Sequence, residues 1–360
     1  MKKIDKYIAF RFLGTFAVAL LLIIFIVIIF DISEKIDDFV QYKAPLKEII
    51  FDYYVNFVPY FINMFSPLFV FITVIFFTSR MASNTEIIAI LSGGISFHRM
   101  MVPYILTATV IALFSLGLNL YVVPEANSGR VFFEMKYVKE ARNKFKRRDI
   151  HYQIAPGQFV YVQSFSSWNN TCYKFTLESV DDNRLTSKLT AETAQWDSTL
   201  AGWKLRNWFQ RDFSEGLGDR VASGERKDTV IALTIDDFYS NEKTVETLSK
   251  KKLDNLIETQ NMRGDANVMY AQIEKHTRYA MPFSAIILTI MGVCLSFRKR
   301  RGGIGWNLAI GIALAFSYIL FQRFSQMFVL TGTLPAAVAL WLPNLLYAII
   351  TGVLYDRARR

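Results

Sequence analysis

Residues 12–30 read FLGTFAVALLLIIFIVIIF, a run with no charged residue. A helix of that length covers the ~30 Å of hydrocarbon in a bilayer at ~1.5 Å per residue. Asp31 comes directly after it and no small-residue cleavage pattern intervenes, so the run reads as a retained span rather than a removed signal. Further uncharged runs cover Tyr53–Thr78, Met100–Val123, Tyr279–Phe297, Gly302–Gln322 and Phe324–Tyr355. The last exceeds what a bilayer needs. Thr331-Gly332-Thr333-Leu334-Pro335 sets a turn inside it, which puts its span near 335–355. A chain of 360 residues that is 52% hydrophobic, with mean hydropathy +0.24, is too apolar for an ordinary soluble domain.

The net charge of +10 orients these spans; it is no nucleic-acid footprint. Segments 1–11, 79–99, 298–301 and 356–360 hold thirteen Lys/Arg against the acids Asp5, Glu86 and Asp356, which accounts for the whole excess. They alternate with the remaining segments, and segment 31–52 carries three bases and six acids. The positive-inside rule then makes both termini and the 79–99 and 298–301 loops cytoplasmic. Residues 124–278 fall on the periplasmic side. Cys172 lies in that outer segment and Cys294 inside the fourth span, so no disulfide framework is expected.

The chain thus divides into spans in 1–123, an insert in 124–278, and spans in 279–360. The insert is nearly neutral, with 24 bases and 22 acids. Pro124–Ile150 reads as a helix continuing the third span and carries the basic run Lys144-Phe145-Lys146-Arg147-Arg148. HYQIAPGQFVYVQSF, CYKFTLESV, KLTAETAQWDSTL and GWKLRNWFQRDF then alternate like strands. Turns stand at Pro156-Gly157, Asp181-Asp182-Asn183 and Ala201-Gly202. This spacing predicts an all-β sandwich or jelly roll. After Asp236-Asp237 helix returns; Ser249–Leu253 opens a short amphipathic helix, and Met269–Arg278 leads into the fourth span. The expected fold class is an α-helical integral membrane protein with six transmembrane helices and an inserted all-β domain.

Several chemistries are missing from the sequence. No GxxxxGK[ST] offers a nucleotide site. His98, His151 and His276 have no metal-ligand spacing. GxSxG and HExxH do not occur. The spans hold almost no ionisable residues, as a proton- or ion-coupled carrier would need, and Arg323 stands alone near an outer end. The 3 + 3 arrangement shows no shared pattern that would mark an inverted repeat. Enzyme and secondary carrier both lose weight, and no cofactor is called for.

Between the second and third spans, Ser83-Asn84-Thr85-Glu86 reads as a capping box with Ser83 as the cap. Ile87, Ile90 and Leu91 come next at helical spacing, flanked by Ile88 and Ala89, and Gly93-Gly94 supplies a stop. This predicts a short helix on the cytoplasmic surface. Glu86 is either its cap or a carboxylate that meets a basic residue on a cytosolic partner.

EIIAILSGGIS, Glu86–Ser96, resembles the cytoplasmic coupling-helix motif of the LptF/LptG family of lipopolysaccharide export permeases. The stretch from Thr247-Leu248-Ser249 through Leu253, Gly264 and Tyr270 to EKHTR (Glu274–Arg278) and Pro282 is similar to the family's approach to the fourth span. AETAQW (Ala191–Trp196) and GWKL (Gly202–Leu205) resemble strands of its β-jellyroll, and WLPN (Trp341–Asn344) its final span. The motifs cover essentially the whole chain in order. FDISEKIDDF at the end of the first span, with Tyr53-Tyr54 and Pro59, looks nearer the LptG half.

The resemblance implies an ABC-exporter permease without its own nucleotide site. It would pair with a partner permease, LptF, over a dimer of the ATPase LptB, and pass lipopolysaccharide along the jellyroll to LptC and LptA. Glu86 would engage the ATPase groove, supported by Ile87, Ile90 and Leu91. The first and fifth spans would form the lateral gate. Family members place lysines at the end of the first span; here Glu34 precedes Lys35, so that pattern is only partly kept. Lys35, Arg130 and Lys136 are the candidate cations for lipid A phosphates, or else interfacial anchors that snorkel. Phe159, Tyr161, Trp196, Trp203 and Trp208 read as jellyroll core in preference to acyl-chain contacts. A non-transporting scaffold whose outer domain binds a partner protein is the alternative to transport.

Overall fold

All six apolar runs are helical in the computed structural model, which describes residues 3–138, 147–166, 169–182, 184–213, 218–239, 242–265, 267–298 and 303–359. Lys144, Phe145 and Lys146 of one basic run, and Lys299, Arg300 and Arg301 of the other, lie outside the described residues. The spans are α1 (Lys3–Gln41), α2 (Leu46–Ser83), α4 (Phe97–Tyr137), α8 (Val268–Ser296), α9 (Gly303–Leu330) and α10 (Ala336–Arg359), with the short α3 (Glu86–Ser92) between α2 and α4. Helices α2 and α8 are central: 56% and 61% of their apolar windows are buried, against 22% for α1 and 28% for α9. Helices α1 and α9 both pack on α2, and α10 packs on α8.

Lipid is as apolar as a leucine side chain, so spans gain little from burying leucine against leucine; close approach and polar bonds hold them. A Cβ added at Gly311 would collide with Ile75 Cδ1, so this glycine lets α9 settle onto α2. Asn344 Nδ2 donates to Ala280 O at 2.7 Å and its Oδ1 accepts from Tyr318 OH at 2.8 Å, tying α8, α9 and α10 together. Asn63 and Asn119 join α2 to α4 at 2.5 Å, with Ser115 Oγ donating to Asn63 Oδ1 at 2.6 Å. Both α2 and α4 carry a π-helical turn, at Ile49–Tyr54 and Leu118–Val122.

The helix beyond the third span stops at Tyr137, well short of Ile150. Val138 is extended (φ −116°, ψ 120°). Arg147–Ile150 instead open strand β1 (Arg147–Ala155), because Ile150, Tyr152 and Ile154 alternate inward at a period of two. Then come β2 (Gln158–Ser166), β3 (Thr171–Asp181), β4 (Arg184–Asp197), β5 (Gly202–Asp212) and β6 (Arg220–Thr229). They form one antiparallel six-stranded sheet in chain order, a meander where the sequence suggested a sandwich or jelly roll. The inserted all-β domain stands, but among the described residues its inner face is closed by a short segment, not a second sheet. Leu233 and Phe238, the latter on α5 (Ile235–Tyr239), pack into the core with Trp203, Phe165 and Phe175. Trp203 Nε1 donates to Leu233 O at 2.8 Å, and Tyr152 OH to Asp237 O at 2.8 Å. On this water-facing domain each fully buried large apolar side chain contributes ~1.5–3 kcal/mol.

Two of the five candidate core aromatics are not core. Val160 and Val162 point inward, so pleating turns Phe159 (41% exposed) and Tyr161 to the other face. Trp203 is buried, and Trp196 and Trp208 pack at its edge. Cys172 and Cys294 are both free and buried, and burial pushes the Cys172 thiol up. After the sheet, α6 (Glu242–Val245) and α7 (Lys250–Met262) return the chain to α8.

Candidate functional site

Two regions hold the residues singled out from the sequence, one at each end of the bundle. At the end that carries the N-terminus, α2 runs through Ser83, so Ser83 has helical geometry and cannot cap α3. The capping box does not form. Thr85 precedes α3 in the left-handed region (φ 62°) and makes no side-chain cap bond. Glu86 is therefore the first residue of the helix, too early to reach back. Its Oε2 accepts from Tyr7 OH at 2.9 Å and its Oε1 from Asn84 Nδ2 at 3.2 Å. Both partners are neutral, and no ion pair reaches Glu86 among the described residues. The stop is as read: Gly94 at φ 84° takes the conformation that L side chains rarely adopt.

Ile87 is 1% exposed, and Ile90 and Leu91 pack against the same cluster as Phe97, Met101 and Phe297. Ile87 anchors α3, and Ile90 and Leu91 are partly buried beside it. The apolar side chain that faces outward is Ile88, 53% exposed, which the sequence marked only as flanking. The platform beneath is cross-tied. Arg99 Nη2 meets Asp5 Oδ2 at 2.7 Å, linking α4 to α1, and His98 Nδ1 lies 2.9 Å from Tyr355 OH on α10. A short, rigidly seated helix thus presents a carboxylate and an isoleucine.

At the sheet side, Lys35, Arg130 and Lys136 gather around α1, α2 and α4, each with carboxylates. Lys35 Nζ lies 2.8 Å from Asp31 and 3.3 Å from Glu134, and also donates to Tyr53 OH. Arg130 shares the same Glu134 oxygen at 3.5 Å and approaches Glu246 at 3.9 Å. Its Nε donates to Asn127 Oδ1 at 3.1 Å, and its guanidinium lies over the Tyr60 ring at 4.5 Å. Lys136 pairs with Glu48 at 2.9 Å in a more exposed setting. The π-turn in α2 has a clear effect here. Tyr53 and Tyr54, adjacent in sequence, both reach Asp31 at 3.1 Å, one on each oxygen. Neighbouring residues on a regular α-helix do not face one target.

Beside this network lies a cleft of ≈ 230 Å³ between α2, α4, α8 and α9, lined by Asn63, Asn119, Glu246, Arg278, Gln322 and Arg323 among others. Arg278, 3% exposed, binds Glu274 at 2.7 Å and Leu248 O at 2.8 Å. Arg323 donates to Gln326 Oε1 at 3.2 Å and forms no ion pair among the described residues, so it stays the lone charge that its place in the sequence suggested. No group of three His, Cys, Asp or Glu that would hold a metal occurs among the described residues. The sequence missed Tyr7 and Ile88, and the only signal for either was its spacing on a helix face.

No curated protein matches this chain. The family model described as lipopolysaccharide export system permease LptF/LptG matches residues 6–357. Six spans, a β domain inserted after the third and a short helix after the second fit that match over nearly the full length. The chain belongs to the LptF/LptG family of lipopolysaccharide export permeases.

Proposed function

We propose that this permease works as one half of an ABC exporter, with α3 as the element that a separate cytosolic ATPase moves. The observation that carries the proposal is Glu86. It sits at the first turn of a short helix, bound among the described residues only to neutral donors, while Ile87 is buried in the bundle and Ile90 and Leu91 pack partly buried against the same cluster. A carboxylate so placed accepts a Lys or Arg from a partner without first breaking an ion pair.

In this reading the N-terminal side is cytoplasmic and the sheet periplasmic. The ATPase is an LptB dimer, the partner permease LptF, and this chain the LptG-like half. Residues 1–123 and 279–360 form the membrane parts. Residues 124–278 hand lipopolysaccharide to LptC and then LptA. The lateral gate uses α1 and α9, the least buried spans, whose exposed faces are available to a partner permease or to lipid. Lipid A phosphates compete with Glu134 and Glu48 for Lys35, Arg130 and Lys136, so that substrate entry exchanges one set of anions for another.

The test is ATP turnover in proteoliposomes holding both permeases and the ATPase. Glu86→Gln keeps the size and one acceptor oxygen but removes the charge. A charge-assisted contact buried by docking is worth ~2–5 kcal/mol on truncation, so complex yield and turnover both fall steeply. Wild-type values for Glu86→Gln would remove the lever from the mechanism.

A further inference from the structure

Between helices α1 and α2, at the N-terminal side, lies an open groove of ≈ 750 Å³. Its α1 wall is Lys3, Lys6, Tyr7, Phe10, Arg11, Gly14, Thr15 and Val18, and its α2 wall is Phe76 and Arg80. Lys3, Tyr7, Arg11, Gly14 and Val18 recur every three or four residues, which makes them one helix face. Lys3, Lys6, Arg11 and Arg80 are all exposed, and none forms an ion pair among the described residues. Two carboxylates at this end are engaged elsewhere: Asp5 pairs with Arg99, and Glu86 accepts from Tyr7.

The groove is not only basic. Phe10 is 74% exposed and Val18 57% exposed, and no atom lies within 4 Å of a Cβ built at Gly14. From Lys3 to Val18 the wall is ~22 Å long at ~1.5 Å per residue. It therefore begins with cations at the bundle end and continues as an apolar channel toward hydrocarbon. A free anion would use only the mouth. A phospholipid uses both parts, its phosphate among the cations and its acyl chain along Phe10, Gly14, Val18 and Phe76. Basic recesses between spans on the cytoplasmic side suit anionic headgroups, and arginine fits phosphate by paired N–H donors.

We infer that this groove seats an anionic phospholipid of the inner leaflet, and that Tyr7, which lines it and donates to Glu86, relays occupancy to the coupling helix. The relay rests on the ATPase reading above; the lipid seat does not. A headgroup that draws on the Tyr7 hydroxyl, or shifts the Tyr7 ring beneath Arg11 (5.3 Å from the ring centre), loosens Glu86 from the bundle and frees it for docking.

The test places the full chain in nanodiscs with photoactivatable phosphatidylglycerol, with photoactivatable phosphatidylcholine as the zwitterionic control. Phosphatidylglycerol should label peptides holding Phe10–Val18 and Phe76 well above the control. Each cation near a charged headgroup is worth ~1 kcal/mol, so Arg11→Gln should cut labelling about fivefold, whereas Arg11→Lys should retain most of it. Equal labelling by both lipids, or labelling that survives Arg11→Gln combined with Arg80→Gln, overturns the seat. Displacement by inorganic phosphate overturns the lipid assignment in favour of a free anion. In the reconstituted complex, Tyr7→Phe should abolish the dependence of ATP turnover on phosphatidylglycerol; persistence of that dependence overturns the relay. Labelling needs no ATPase, so a failure of Glu86 coupling and a failure of the lipid seat give separate results.

Discussion

At the sheet side of the bundle, Lys35 and Arg130 share the carboxylate of Glu134, and Lys136 lies against Glu48. At the opposite end Lys3, Lys6, Arg11 and Arg80 line an open groove without an ion pair among the described residues. The residue types are the same and the consequences differ. A buried cation must be neutralised where it stands, because removing charge from water costs several kcal/mol per ion. A cation at a wet rim needs no partner and remains available to a ligand. Counting Lys and Arg along the chain cannot separate these cases; the acids that fold back onto each one do.

This contrast is open to attack, most strongly at Glu134. It is the shared acceptor of two cations, with its side chain 5% exposed. Glu134→Ala should cost ~3–5 kcal/mol, the range for breaking a buried pair by removing one partner, read as a lower unfolding midpoint in detergent. A wild-type midpoint would mean that Asp31 and Glu246 alone satisfy Lys35 and Arg130. Next comes Glu86→Gln, whose effect falls on complex formation and ATP turnover while the unfolding midpoint stays put. A fall in the midpoint of the isolated chain would recast Glu86 as a structural tie to Tyr7. Lys136→Ala should leave stability nearly unchanged, since its pair with Glu48 is exposed, yet lower photocrosslinking to lipopolysaccharide. Loss of stability there would place Lys136 with the buried pair instead. Smallest of all, Lys6→Gln and Arg80→Gln should not move the midpoint, since neither side chain pairs with an acid among the described residues. A destabilised variant would expose a partner on the groove and erase the difference between the two ends.

Much of the architecture was legible because the bilayer leaves few options. Uncharged runs of span length can only be helices there, and Gly94 marks the stop of α3 at a positive φ. Strands β1–β5 were legible through alternation. Strand β6, RVASGERKDT, was not: it is an edge strand with both faces largely in water, so nothing in it alternates. Its charges instead guard the edge against further pairing. The false capping box has a local cause, since four residues cannot reveal that α2 persists through Ser83. The sheet-side network was hidden for the opposite reason. Lys35 meets Glu134 across 99 positions, and Arg130 meets a glutamate beyond the whole β domain. No spacing rule reaches that far. Tyr53 and Tyr54 could not be foreseen on one carboxylate, because the π-turn that aligns them leaves no mark in composition.

Helix α8 runs unbroken from Val268 to Ser296, 29 residues or ~43 Å at ~1.5 Å per residue, against ~30 Å of hydrocarbon. Its first turns therefore stand clear of the membrane. There Arg278 clamps Leu248 O, and Lys275 meets Asp254 on α7 at 2.7 Å. The next clasp up the stalk is Arg263 on Asp237, beneath the sheet. The sheet is thus tied to the bundle through α7, which meets α8 at Lys275–Asp254 and the segment under the sheet at Arg263–Asp237.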